Sequence, residues 1–232
     1  MTALQPLRRD RDGPSMEKRV LFPSLYGIVD AEVLDAQGSD LGVVEELADA
    51  GVELIQYRDK KASSRVLFET CYRLSCTLAS RHAKFILNDR PDLAALCGAG
   101  GVHVGQEDLE VETARSVCGA SLWIGVSTHN LAQFKQAKAT SADYVAVGPI
   151  FGTRSKRNPE SAVGLEFVKA VRQLTEKPLV AIGGVTLENA ANVWRAGADS
   201  VAVIRDILTA PSPGRRAQEF LNLARHLRIS PG

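Results

Sequence analysis

The residues of this chain that could do chemistry fall in a few short stretches. Residues 54–60 read Leu-Ile-Gln-Tyr-Arg-Asp-Lys, and alternation along an extended backbone puts Gln56, Arg58 and Lys60 on one side. Asn88 and Asp89 follow one apolar run, and Asp108 closes the Gly-Gln-Glu-Asp that follows the next. Two carboxylates beside a basic triad suit a Mg²⁺ ion that keeps several waters, because Mg²⁺ takes few protein ligands and completes its shell on substrate phosphates. Plainer uses exist for the same residues. Asp89 could cap a helix opened by Pro91, and Arg58 and Lys60 could form a solvated rim paired with Asp59.

Further along, Gly183-Gly184 ends an apolar run and Ile204-Arg205 ends another. Paired glycines let backbone N–H groups come close to an anion, and a following helix N-terminus favours negative charge there. Residues 152–161, Gly-Thr-Arg-Ser-Lys-Arg-Asn-Pro-Glu-Ser, make the longest polar connection; it reads as a lid or as a plain surface loop. After Gly125-Val126, one of Ser127, Thr128 and Asn130 should cap the next helix, and His129 reads as a hydrogen-bonding rim residue. A G-x-S-x-G elbow is absent and no cysteine ends an apolar run, so nothing points to a Ser/His/Asp nucleophile. The sum is two anion sites, one suited to a metal-held diphosphate and one to a monophosphate. That describes a two-substrate transfer in which pyrophosphate leaves.

The elements that must position these residues show in the hydrophobic pattern. Eight short apolar runs, at 25–29, 52–57, 85–87, 102–104, 122–126, 144–147, 179–182 and 201–204, read as strands. Between them lie segments with helical spacing: Leu41, Val44, Leu47 and Ala48; Leu67, Cys71, Leu74 and Leu78; Phe167, Val168, Val171 and Leu174. A weak repeat, Ser-Ala-Asp-Tyr-Val-Ala-Val at 141 and Gly-Ala-Asp-Ser-Val-Ala-Val at 197, marks helix ends that turn into strands. Strand and helix in alternation predict a parallel sheet, here a single (β/α)8 TIM barrel over residues 21–232. The rival is a doubly wound open sheet. It predicts a Gly-x-Gly-x-x-Gly turn after the first strand, whereas that strand runs into Val29-Asp30-Ala31. In a barrel the chemistry sits where strands end.

Residues 1–20 carry Arg8, Arg9, Arg11, Lys18 and Arg19 among Pro6, Gly13 and Pro14, without an apolar core segment. They read as a flexible N-terminal tail rather than a signal peptide. The net charge of +1 and the lack of any long apolar run exclude a broadly basic nucleic-acid binder and a membrane span. Cys71, Cys76, Cys97 and Cys118 show no metal-site spacing and read as reduced, buried thiols of a cytoplasmic protein.

Taken in order, Gln-Tyr-Arg-Asp-Lys at 56–60, Asn-Asp-Arg at 88–90, Gly-Val-His-Val-Gly-Gln-Glu-Asp at 101–108, Ile-Gly-Val-Ser-Thr-His at 124–129, Val-Gly-Pro-Ile-Phe-Gly-Thr-Arg-Ser-Lys at 147–156 and Ala-Ile-Gly-Gly-Val at 181–185 resemble the thiamine phosphate synthase family. The resemblance spans most of residues 24–208. It implies a barrel that joins a 4-aminopyrimidine diphosphate to a thiazole phosphate, optionally carrying a 2-carboxylate, and releases diphosphate by a dissociative route. It also implies one Mg²⁺ per subunit on Asp89 and Asp108, and Gln56 on the aminopyrimidine with Ser127 beside it. Arg58, Lys60, Asn88 and Lys156 would hold the diphosphate, with Arg58, Lys60, Lys156 and Ser127 carrying catalysis. Thr153, Arg154, Ser155, Gly184, Ile204 and Arg205 would line the thiazole phosphate site. The partners implied are these small molecules, with no nucleic acid and no membrane; a homo-oligomer is compatible with the pattern.

The chain departs from the family pattern at Asp59, where Glu is commoner, at Gly152, where Pro is frequent, at Ser155, where Thr is usual, and at Arg205, where Ser often stands. The Arg205 side chain either adds charge at the thiazole phosphate or pairs with Asp206. A related thiazole tautomerase and a non-catalytic sensor barrel are the competing readings. A tautomerase has no use for a metal-held diphosphate.

Overall fold

The computed structural model describes residues 22–152 and 161–229. The expected tail, residues 1–20, and the loop residues Thr153, Arg154, Ser155 and Lys156 lie outside the described residues. Eight parallel strands close into a barrel in sequence order: β1 (Leu25–Asp30), β2 (Leu54–Arg58), β3 (Lys84–Asn88), β4 (Gly101–Val104), β5 (Trp123–Thr128), β6 (Tyr144–Val147), β7 (Leu179–Ile182) and β8 (Ser200–Val203). Around them run α1 (Ala31–Gln37), α2 (Gly42–Asp49), α3 (Ser64–Ala79), α4 (Pro91–Leu96), α5 (Val111–Cys118), α6 (Leu131–Lys138), α7 (Gly164–Arg172), α8 (Leu187–Arg195), α9 (Arg205–Leu208) and α10 (Pro213–Ile229). The first and last strands pair, Tyr26 opposite Ala202, so the sheet has no open edge. The open-sheet alternative is thereby excluded.

Each run predicted as a strand is one, with ends shifted by a residue or two. The first, third and fifth runs extend to Asp30, Asn88 and Thr128, because backbone pairing continues past the apolar stretch, Asp30 opposite Arg58 and Asn88 opposite His103. Alternation then divides each strand between two cores. Outward residues such as Val29, Ile55, Leu87, Val102, Val145 and Val201 pack against the helices. Inward residues Tyr26, Ile28, Leu54, Ile86, Tyr144, Ala146, Val180 and Ala202 fill the barrel with Phe22.

Phe22 precedes β1, stacks on Trp123 at 5.5 Å and meets Tyr144 in a tilted contact at 5.3 Å between ring centres. These rings floor the barrel at the strand N-termini. At that same end two clamps repeat. Asp143 accepts from the Ile124 N–H (2.7 Å) and pairs with Arg115 (2.6 Å); Asp199 accepts from the Leu179 N–H (2.8 Å) and pairs with Arg172 (2.7 Å). The weak sequence repeat is thus a structural device: an aspartate before an even strand ties down the start of the preceding odd strand.

Two local expectations are corrected. Cys71, Cys97 and Cys118 are buried but Cys76 is exposed. Five residues at 100° per residue carry Cys76 well away from the face of α3 that buries Leu67, Cys71, Leu74 and Leu78. Leu174 lies beyond the end of α7 and is exposed. Among the described residues no helix is long and apolar enough to cross a membrane.

Candidate active site

At the strand C-termini a cavity of about 100 Å³ opens, lined by Gln56, Arg58, Lys60, Asn88, Asp89, Asp108, Ser127 and Ile204 from the sequence-predicted set. Gln56 and Arg58 share one face by alternation along β2, and Lys60, just past its end, lines the same cavity. Gly184 and Arg205 follow the ends of β7 and β8, which are neighbours with Ile182 opposite Ala202. Gly183 and Gly184 have φ of 97° and 65°, a left-handed region that favours glycine. A Cβ on Gly184 would lie 2.6 Å from the Gly152 carbonyl and 2.8 Å from the Phe151 side chain, so no larger residue fits where the sixth loop crosses the seventh.

The two bases do not form a solvated rim with Asp59. Arg58 donates to Asp30, a buried carboxylate at the end of β1. Lys60 Nζ meets Asp89 Oδ2 at 2.9 Å. Asp59 instead accepts from the Lys61 N–H at 2.8 Å and the Ala62 N–H at 3.0 Å, closing its own turn. Asp30 escaped sequence reading; its signal was an acidic residue ending a strand beside one that ends in arginine. It also accepts from the Val33 N–H at 3.3 Å and so caps α1.

Asp89 is not a helix cap. The cap position of α4 is Arg90, without a side-chain bond, and Pro91 opens the helix. Asp89 adopts a left-handed φ of 60°, which aspartate tolerates better than most residues, and its carboxylate faces Lys60 and Asp108. Burial and then the contact with Asp89 hold the Asp108 carboxyl above the usual range. The Asp108 carboxyl lies against that of Asp89, and two carboxylates in contact favour a cation beside them. Among the described residues no group of three or more His, Cys, Asp or Glu converges, so an ion here must draw further ligands from water and a diphosphate. That donor set fits Mg²⁺.

Deeper in the cavity, Gln56 Nε2 donates to the Tyr26 hydroxyl at 2.7 Å, Tyr26 and Tyr144 share a hydroxyl contact of 2.9 Å, and His103 touches Tyr144 through Nδ1 (3.1 Å) and Ser127 Oγ through Nε2 (2.8 Å). Tyr26, His103 and Tyr144 were missed, because each lies within a strand, away from the C-terminal end where function was sought, with no local signal. Among the described residues, the far imidazole nitrogen of His103 meets a phenol where a hydrolytic triad has a carboxylate. Asn130 caps α6, accepting from the Gln133 N–H at 3.0 Å, which leaves Ser127 facing the cavity. His129 bonds the Gly148 carbonyl at 2.5 Å, a rim role. Asp206 pairs with Arg216 at 3.7 Å and accepts from the Leu187 N–H at 3.2 Å, not with Arg205, whose side chain is exposed.

Comparison with known proteins agrees with this geometry. A family model described as thiamine monophosphate synthase matches residues 25–207. A thiamine-phosphate synthase from Koribacter versatilis is 47% identical over 211 residues, 90% of this chain and 99% of that protein. One from Chloroflexus aurantiacus is 42% identical, with 84% and 90% covered. The solved thiamine phosphate pyrophosphorylase from Pyrococcus furiosus superposes with a TM-score of 0.79 at 29% identity, over 88% of this chain and 96% of that one. A match that runs from β1 through β8 and relatives aligned over nearly their full length leave one assignment: the chain belongs to the thiamine monophosphate synthase family.

Proposed function

We propose that the chain couples 4-amino-2-methyl-5-(diphosphooxymethyl)pyrimidine to a 4-methyl-5-(2-phosphoethyl)thiazole, releasing diphosphate and thiamine phosphate. As a member of this family it is a transferase. The observation that carries the substrate reading is the convergence of Arg58 and Lys60 with the apposed Asp89 and Asp108 on one cavity whose depth holds Gln56 and Ser127.

Gln56 and Ser127 hold the pyrimidine, while Arg58, Lys60 and Asn88 hold its diphosphate. Asp89 and Asp108 would bind Mg²⁺, which when present adds positive charge against the diphosphate oxygens. The bond between the methylene carbon and the diphosphate oxygen breaks with its electron pair leaving on oxygen, and the amino-substituted ring feeds density to the methylene cation. The thiazole nitrogen then captures that cation. Among the described residues no cysteine lines the cavity, and the route needs no protein nucleophile. The chain contributes position, charge and exclusion of water. The glycine pair at 183–184 with Ile204 forms the thiazole phosphate seat, to which the family resemblance adds Thr153, Arg154 and Ser155, with Lys156 assigned to the diphosphate on the same ground. Four free thiols support a reducing, cytoplasmic setting.

The test is thiamine phosphate formation from the two substrates with and without Mg²⁺, read as thiochrome fluorescence. Mg²⁺-dependent product supports the reading. A folded protein that binds the thiazole phosphate but makes no product overturns it.

A further inference from the structure

The hydrogen-bond chain at the foot of the cavity has a direction, and the direction decides what its two ends offer a ligand. Gln56 Nε2 donates to the Tyr26 oxygen. Having accepted, Tyr26 spends its own hydrogen on the Tyr144 oxygen, 2.9 Å away. Tyr144 must then donate to His103 Nδ1, which can accept only as the unprotonated ring nitrogen. The imidazole hydrogen therefore sits on Nε2 and points at Ser127 Oγ. Ser127, an acceptor toward the imidazole, turns its own hydrogen into the cavity, and Gln56 is left with its amide oxygen to offer there. Burial keeps both phenols protonated far above neutral pH, so each link holds one hydrogen.

The opposite direction exists only if every link reverses together. Gln56 would then present its NH₂ group and Ser127 only lone pairs. These two states match different rings. A 4-aminopyrimidine carries an N–H donor next to a ring-nitrogen acceptor, and it meets the acceptor of Gln56 and the donor of Ser127. The 4-oxo ring left by deamination carries a carbonyl acceptor next to a ring N–H donor, the reverse pattern.

We propose that this chain of five residues, from Gln56 through Tyr26, Tyr144 and His103 to Ser127, is a polarity filter that selects the aminopyrimidine over its deaminated oxo counterpart. The inference rests on the substrate reading above. Tyr26, His103 and Tyr144 act in it as positioning residues, through Gln56 and Ser127. Their closure into one network depends on the barrel, since β1, β2, β4, β5 and β6 each supply a member. Two mismatched buried hydrogen bonds predict discrimination of about a hundredfold or more.

The experiment uses the full chain and two probes, the amino and oxo forms of the 5-hydroxymethylpyrimidine monophosphate. Their dissociation constants are measured by calorimetry for the wild type and for Tyr144→Phe, which keeps the ring and deletes the central link. The wild type should prefer the amino probe by about a hundredfold, and Tyr144→Phe should lose at least about tenfold of that preference. A purely structural defect would weaken both probes alike. If Tyr144→Phe does not fold, Tyr26→Phe cuts the chain at the next link. Histidine ¹⁵N spectra of the ligand-free protein, assigned against His103→Gln, should place the His103 hydrogen on Nε2. An unchanged preference in the variant, or a His103 hydrogen on Nδ1, overturns the filter alone. A wild type that binds neither probe overturns the substrate reading and the filter with it.

Discussion

Replacing Asp30 tests whether the Arg58 pair, rather than the cap on α1, is what the end of β1 contributes. The Asp30 side chain is 3% exposed and that of Arg58 is 17% exposed, so both charges are largely out of water. Breaking a fully buried pair costs about 3–5 kcal/mol, and a charge-assisted hydrogen bond is worth about 1.5–3 kcal/mol. With Arg58 retaining some solvent, about 2 kcal/mol is the expected loss for Asp30→Asn. Asparagine keeps an oxygen for the Val33 N–H and caps as well as aspartate, so this variant isolates the ion pair. Asp30→Ala removes the cap as well and should cost about 1 kcal/mol more. At about 2–4 °C per kcal/mol for a domain of this size, the melting midpoint should fall by about 4–8 °C for Asn and about 6–12 °C for Ala. Urea unfolding followed by circular dichroism gives the free energies, and added pyrophosphate should return part of the loss by giving Arg58 a new anion. Equal losses in the two variants, or an Asn variant as stable as the wild type, would refute the reasoning.

Gly125 stands where a Cβ would lie 2.0 Å from the Tyr144 ring. Gly125→Ala should therefore cost about 1–3 kcal/mol in urea unfolding; an unchanged midpoint would mean that the ring has room to move. Asp108→Asn removes one carboxylate from the apposed pair and should raise the Mg²⁺ concentration for half-maximal product formation by about tenfold or more, and an unshifted titration would take Asp108 out of the metal site. Asp199→Asn breaks the Arg172 clamp at the far end of the barrel. It should lower stability by about 1–2 kcal/mol while leaving kcat unchanged, and a fall in kcat in the folded variant would contradict the separation of the two ends.

The fold was legible because parallel strands buried on both faces read as compact β-branched runs, such as Tyr144 to Val147 and Leu179 to Ile182, and closure needs only eight of them. The rim was legible for a related reason. Arg58, Lys60, Asn88, Asp89 and Asp108 all stand at or within a few residues after a strand end, where a barrel gathers its functional groups. What lay hidden was pairing between strands. Asp30 finds Arg58 28 residues away, and Tyr26 finds Tyr144 118 residues away. Asp30 and Arg58 meet between the neighbouring strands β1 and β2, whereas Tyr26 and Tyr144 meet inside the barrel that ring closure creates; in both cases the partner is remote in sequence. The Asp206 expectation failed similarly: a neighbour in sequence was weighed, while the actual partner, Arg216, comes from α10.

The aromatic floor made by Phe22, Trp123 and Tyr144 has a kinetic consequence. A barrel sealed at one end has a single doorway, and whatever enters must leave the same way. On the proposed reading the pyrimidine seat, at Gln56 and Ser127, lies farther from that doorway than the thiazole phosphate seat beside Gly184 and Ile204. On that reading the acceptor covers the donor, so binding should be ordered with the pyrimidine diphosphate first, and excess thiazole phosphate should slow turnover by closing the doorway on an empty chamber.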